Sequence, residues 1–157
     1  SQYIKNMESG KLSKIINRYW SEMGWEPPSK EWAIKLAILI KDSMTRLTDS
    51  IDQSKPFFLL PKIQKEGQDF LEKNDGKVTL KLILNYLIKK NTAKLDEEKA
   101  KDIINDISKT HNVKKGILMK TLRVALFGSL NGPDLIQSWV LFSENKSDIS
   151  RIERCLK

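Results

Sequence analysis

An all-α fold of two small helical bundles is what this sequence predicts, and three observations carry it. Apolar residues recur at spacings of three and four in nearly every segment, the pattern that lines up one face of a helix. The segments are separated by chemistry that stops or starts helices, at Pro27-Pro28-Ser29, Asn74-Asp75-Gly76 and Gly132-Pro133-Asp134. No segment requires a strand, since the one stretch that alternates, Lys77 to Lys81, runs on with helical spacing to Ile88.

Taken in order, Ser1 to Trp25 places Ile4 and Met7, then Leu12, Ile15, Ile16, Tyr19, Trp20 and Met23, on one face, read as two short helices broken at Ser9-Gly10. A pattern already under way at the first residue suggests further chain upstream. Pro27 and Pro28 stop this run and Ser29 caps a third helix, whose buried stripe is Trp32, Leu36, Leu39 and Ile40. A fourth helix is predicted over Met44 to Ile51. Lys55 to Pro61 follows as an extended or turning apolar connector, because a residue before proline is pushed away from helical geometry. The domain boundary falls there, giving one bundle at 1–60 and a second at 61–157.

In the second bundle, Ile63 to Leu71 and Val78 to Ile88 are helical, separated by the Asn74-Asp75-Gly76 turn. Asp96-Glu97-Glu98 sets negative charge at the start of the next helix, where the macrodipole favours it, and Asn112 ends it. The helix Ile117 to Phe127 separates a buried side, Leu118, Leu122, Ala125 and Leu126, from a side bearing Lys120, Arg123 and Phe127. Gly128 is placed as a left-handed terminator, and Pro133 near the first position of a helix that buries Leu135, Ile136, Trp139, Val140 and Phe142. A last helix is capped by Ser147 and buries Ile149, Ile152, Cys155 and Leu156.

The chain has 157 residues, 39% apolar and 31% charged, with a net charge of +8. That charge points to a polyanionic partner. It is uneven: residues 1–60 carry net +2 and residues 61–157 net +6. From Ile107 to Pro133 no acidic residue interrupts Lys109, Lys114, Lys115, Lys120 and Arg123. One His and one Cys allow neither an internal disulfide, nor a zinc site, nor a Cys/His nucleophile pair, and no carboxylate pair is singled out for acid–base work. No run approaches membrane-span length, so cytoplasm is the expected location and a membrane is not expected as partner. The chain reads as a binder with no catalytic site, no metal and no cofactor of its own. A basic helix face beside a turn, with Arg for planar contacts and an aromatic ring for stacking, suits unpaired nucleotides. The competing readings are a solvated helix face on a helical protein-interaction module, or a nonspecific RNA binder.

At Leu122-Arg123-x-Ala125-Leu126-x-Gly128 and Gly132-Pro133-Asp134-Leu135 the sequence resembles the C-terminal anticodon-binding region of bacterial-type glutamyl-tRNA synthetases, which are class I aminoacyl-tRNA synthetases. Gln2-Tyr3-Ile4-Lys5, Tyr19-Trp20, Gly24-Trp25, Thr45-Arg46-Leu47, Ser54 to Phe58, Lys115-Gly116 and Arg151 to Arg154 continue the likeness in order along nearly the whole chain. The resemblance implies two helical subdomains of the α-helix cage type that cradle the anticodon loop of tRNA(Glu). ATP- and Mg-dependent attachment of glutamate would belong to an upstream catalytic domain of the same, monomeric polypeptide. This chain would then be a C-terminal part that binds tRNA weakly and charges nothing. It implies that Arg123 contacts an anticodon base, with Lys120 beside it, and that Gly132, Pro133 and Leu135 line the neighbouring one. Two positions depart from the family: Phe127 stands where a Thr or Ser is expected, and Gly132 removes a side chain that some members use. Members restricted to the glutamate tRNA carry an Arg that reads the third anticodon letter. Asp42 or Ser43 aligns with it here and Arg46 lies one turn later, which implies a non-discriminating parent that also charges tRNA(Gln), for an amidotransferase to correct.

Overall fold

The computed structural model describes residues 2–90 and 94–157, and its regular structure is ten α-helices with no strand among the described residues. The chain divides into two compact units, Ser1–Leu60 and Pro61–Lys157. The predicted start at Ser1 lies outside the described residues.

The first unit contains α1 (Gln2–Lys5), α2 (Ser9–Glu22), α3 (Lys30–Lys41) and α4 (Asp49–Phe58). The break before α2 falls at Asn6 to Glu8, not at Ser9-Gly10, because the Glu8 carboxylate accepts from the amides of Gly10 (3.0 Å) and Lys11 (3.3 Å) and so caps the helix. Ser29 caps α3 as expected, its Oγ accepting from the Trp32 amide at 3.1 Å. Lys41 Nζ donates to the Met7 carbonyl at 2.8 Å, so the end of α3 returns to the segment preceding α2.

The fourth helix and the connector are both displaced from their predicted places. Residues 42–48 are turns, and α4 runs on through Pro56 to Phe58. The cause is tertiary. Phe57 is buried, and the Phe58 ring lies 5.3, 5.2 and 5.3 Å from the rings of Trp20, Trp25 and Trp32. Burying an aromatic side chain is worth about 1.5–3 kcal/mol, enough to hold a proline in the final turn of a helix against its local preference.

The second unit contains α5 (Lys65–Lys73), α6 (Gly76–Lys89), α7 (Glu97–His111), α8 (Lys115–Phe127), α9 (Leu135–Ser143) and α10 (Ser147–Cys155). Helix α8 is its axis, touching each of the other five. Leu118, Leu122, Ala125 and Leu126 are fully buried, as the periodicity predicts. Asp96 caps α7 through the Lys99 amide at 2.8 Å, and Asn112 ends it in the left-handed region at φ 53°. Two boundary assignments change. Asp134, not Pro133, opens α9, accepting from the Gln137 amide at 2.9 Å. Ser147 is the first residue of α10 and not its cap, since its Oγ is taken by Arg151 Nε at 2.9 Å.

Candidate nucleic-acid interface

Helix α8 ends where three backbone carbonyls, of Ala125, Leu126 and Gly128, are met by three residues distant in sequence. Gly128 turns left-handed (φ 74°) and donates to the Val124 carbonyl at 2.7 Å, while its own carbonyl accepts from the Gln64 amide at 2.7 Å. Arg151 Nη1 donates to the Leu126 carbonyl at 2.7 Å with its guanidinium 4.2 Å from the Phe142 ring centre. Arg154 donates to Ala125 (3.3 Å) and Pro61 (2.6 Å). Arg151 is buried, and that burial lowers its pKa to about 10. These two arginines therefore brace α8, Arg151 buried and Arg154 partly so.

With the helix end fixed, the turn at 129–134 folds back along it. The Ser129 hydroxyl both accepts from the Asn131 amide (2.9 Å) and donates to the Asn131 carbonyl (3.1 Å), which tightens the turn. Arg123 Nη1 donates to the Pro133 carbonyl at 2.8 Å, and its guanidinium carbon lies 6.0 Å from the Phe127 ring centre. Gly132 lies directly against this pair: a Cβ there would sit 3.0 Å from Arg123 Nη1 and 3.3 Å from the Phe127 ring. Partial burial pulls the Arg123 guanidinium below its ordinary pKa, and the nearby Asp134 carboxylate opposes that shift.

The six residues marked by the sequence thus divide. Arg123, Phe127, Gly132 and Pro133 are brought into one cluster, and Lys120 stands exposed one turn earlier on α8. Phe127 does not share the solvent side of Lys120: it is 6% exposed, its ring 5.4 Å from and edge-on to Phe142. Leu135 is buried as well, at the first position of α9. Accessible chemistry here is the remaining Arg123 N–H groups, the turn backbone and the Lys120 ammonium.

In the first unit, Asp42, Ser43 and Arg46 occupy the turns between α3 and α4. Asp42 is exposed at the end of α3, and Ser43 Oγ is engaged with the Ile40 carbonyl (2.9 Å) and Gln53 Oε1 (3.0 Å). Asp49 organises the loop by accepting from the Thr45 amide (3.0 Å), the Thr45 hydroxyl (3.0 Å) and the Arg46 amide (2.9 Å). Those hydrogen bonds, the Arg46 amide's first, lower its pKa. The Arg46 side chain is 79% exposed, with one Nη2 at 3.5 Å from Asp49.

Among the described residues no group of three His, Cys, Asp or Glu side chains could hold a metal ion, and no helix is long and apolar enough to cross a membrane. The Cys155 thiol is buried, which pushes its pKa up. The fold and the site define an all-helical binding module built around a basic helix end. Residues 11–156 match the family model of the anticodon binding domain, and the chain belongs to that family. It is 80% identical over its full length to the glutamate–tRNA ligase of Prochlorococcus marinus strain MIT 9312, and 46% identical over 156 residues to that of strain NATL2A. In each case the chain spans 33% of the relative's length. Two solved structures share the fold. A glutamate tRNA ligase from Elizabethkingia meningosepticum aligns with a TM-score of 0.86 at 23% identity, covering 99% of this chain and 30% of that one. The glutamate-tRNA synthetase of Elizabethkingia anophelis aligns at 0.78 and 22%, with the same coverage.

Proposed function

We propose that this chain recognises the anticodon loop of tRNA as the C-terminal part of a glutamyl-tRNA synthetase, whose full-length form attaches glutamate to tRNA(Glu). ATP and Mg would be held in an upstream catalytic domain of the same polypeptide, working as a monomer in the cytoplasm. The observation that carries this reading is the Arg123 guanidinium held on the Pro133 carbonyl beside an exposed Lys120, within a stretch that has no acidic residue from Ile107 to Pro133. A planar donor fork at a turn is suited to a base edge that pairing has left open. The 80% identity to a named glutamate–tRNA ligase supports the same assignment.

Replacing Arg123 with Ala tests it by filter binding of tRNA(Glu) transcripts. Anticodon readout gives a loss of roughly 1–3 kcal/mol together with relaxed preference at one anticodon letter. Equal weakening for every RNA would establish a nonspecific phosphate contact instead, and no change would overturn RNA recognition at this site. We further propose that the parent accepts tRNA(Gln) as well. In support, Asp42 and Ser43 carry no guanidinium, and Arg46, later in the same loop, has its Nη2 3.5 Å from an Asp49 carboxylate oxygen. Transcripts differing only at the third anticodon letter then bind within tenfold; a larger preference, above about 1.4 kcal/mol, refutes the relaxed reading.

A further inference from the structure

An open groove of about 690 Å³ lies between α2 and α3 in the first unit. Lys11, Lys14 and Lys30 line it and are exposed, and none has an ion-pair partner among the described residues. The one carboxylate in the lining, Glu8, is occupied in capping α2. The first-turn acid of α3, Glu31, is paired with Lys35 at 3.2 Å. Ser13 also lines the groove: the residue is 5% exposed, and its hydroxyl has no hydrogen-bond partner among the described residues. The cap residue Ser29 and the first α3 residue, Lys30, bring the positive end of a helix to the same place.

We infer that this groove takes a backbone phosphate of RNA, with Lys11, Lys14 and Lys30 supplying charge and the Ser13 hydroxyl donating a hydrogen bond. The inference rests on the tRNA reading above and adds a contact that is blind to base identity. A tetrahedral anion suits a site lined by several ammonium groups because it accepts from several directions at once.

The test is the salt dependence of tRNA(Glu) binding to the full chain, comparing wild type, Lys11→Gln/Lys14→Gln/Lys30→Gln, Ser13→Ala and Arg123→Ala. Each lysine that neutralises a phosphate contributes about 0.7–0.9 to the slope of log K against log salt. The triple variant is expected to lower the slope by roughly two and the affinity up to about a hundredfold at 0.1 M salt, for all transcripts alike. Ser13→Ala is expected to weaken binding severalfold with the slope unchanged, while thermal unfolding shows both variants folded. A wild-type slope in the triple variant, or wild-type affinity in Ser13→Ala, overturns the inference. The two readings fail separately. Binding that follows the groove lysines but ignores Arg123 refutes anticodon recognition, and binding that follows Arg123 but ignores the lysines refutes the groove.

Discussion

Replacing Gly128 with Ala perturbs the second unit where helix end, turn and entry segment converge. The backbone there sits at φ 74°, which for a residue with a Cβ costs about 1–2 kcal/mol. Sterics add to this, because a Cβ would collide with the Lys62 carbonyl oxygen, lie 2.9 Å from its carbon and 3.3 Å from the Ile63 Cα. Both neighbours are backbone, so no rotamer change relieves the contact. Moving residues 62–64 aside breaks the 2.7 Å bond from Gln64 to Gly128, worth about 0.5–1.5 kcal/mol. The loss expected for Gly128→Ala is therefore on the order of 2–4 kcal/mol. For a unit of this size that lowers Tm by roughly 10 °C or more. Gly116→Ala is the matched control, since Gly116 is helical and a Cβ there meets nothing within 4 Å. It is expected to stabilise by up to about 1 kcal/mol. Urea denaturation followed by circular dichroism measures both. A Gly128→Ala loss below about 1 kcal/mol, or one matching Gly116→Ala, refutes the argument that this glycine is held by contact with the entry segment.

Phe58→Ala removes the ring at the centre of Trp20, Trp25 and Trp32 and is expected to cost roughly 3 kcal/mol in the first unit. A red-shifted tryptophan emission accompanies it, and unchanged emission and stability would show that the cluster is not packed as described. Asp49 and Asp148 titrate in opposite directions. The hydrogen bonds to Asp49 lower its pKa, so its contribution to the 45–49 turn is complete above the unfolded value near 3.8 and is lost as pH falls through the folded value. Burial raises the pKa of Asp148 against the opposing hydrogen bond from Trp139 Nε1 (3.0 Å), so its contribution is greatest below 3.8 and is lost as pH rises through the folded value. Asp148→Asn, which keeps an acceptor for Trp139, is therefore expected not to destabilise at neutral pH. Carboxyl NMR titration checks the order, and Asp148 titrating below Asp49 contradicts it.

Where folding follows local chemistry, the sequence was a sufficient guide. Ser29, Asp96, Asn112 and Gly128 each act at the helix end that their residue type implies, and the buried face of α8 follows from its spacing. The misplacements arise where a distant partner overrides local preference: three tryptophans hold Phe58 helical beyond Pro56, and Arg151 takes the hydroxyl that would have capped α10. The site was legible in part. Arg123 and the Gly132-Pro133 turn do meet, but a helical projection could not show that the turn folds back over Phe127 and removes it from the surface. Arg151 and Arg154 were invisible as braces because pattern reading assigns charged residues to water, and only the three-dimensional position of the Ala125, Leu126 and Pro61 carbonyls shows what they serve.

The bond between Arg123 and Pro133 places the entropy of recognition on the folding side of the ledger. A free arginine gives up rotamer freedom on meeting a ligand, at about 0.5–1.5 kcal/mol for an immobilised side chain. Here that ordering is already present in the free protein, where the bond to Pro133 uses one of the five guanidinium N–H groups. On the proposed reading, a base edge meeting such a plane is accepted or refused by its shape, with little room for adjustment on the protein side. On that reading, discrimination depends as much on the stiffness of a six-residue turn, 129–134, as on the arginine itself.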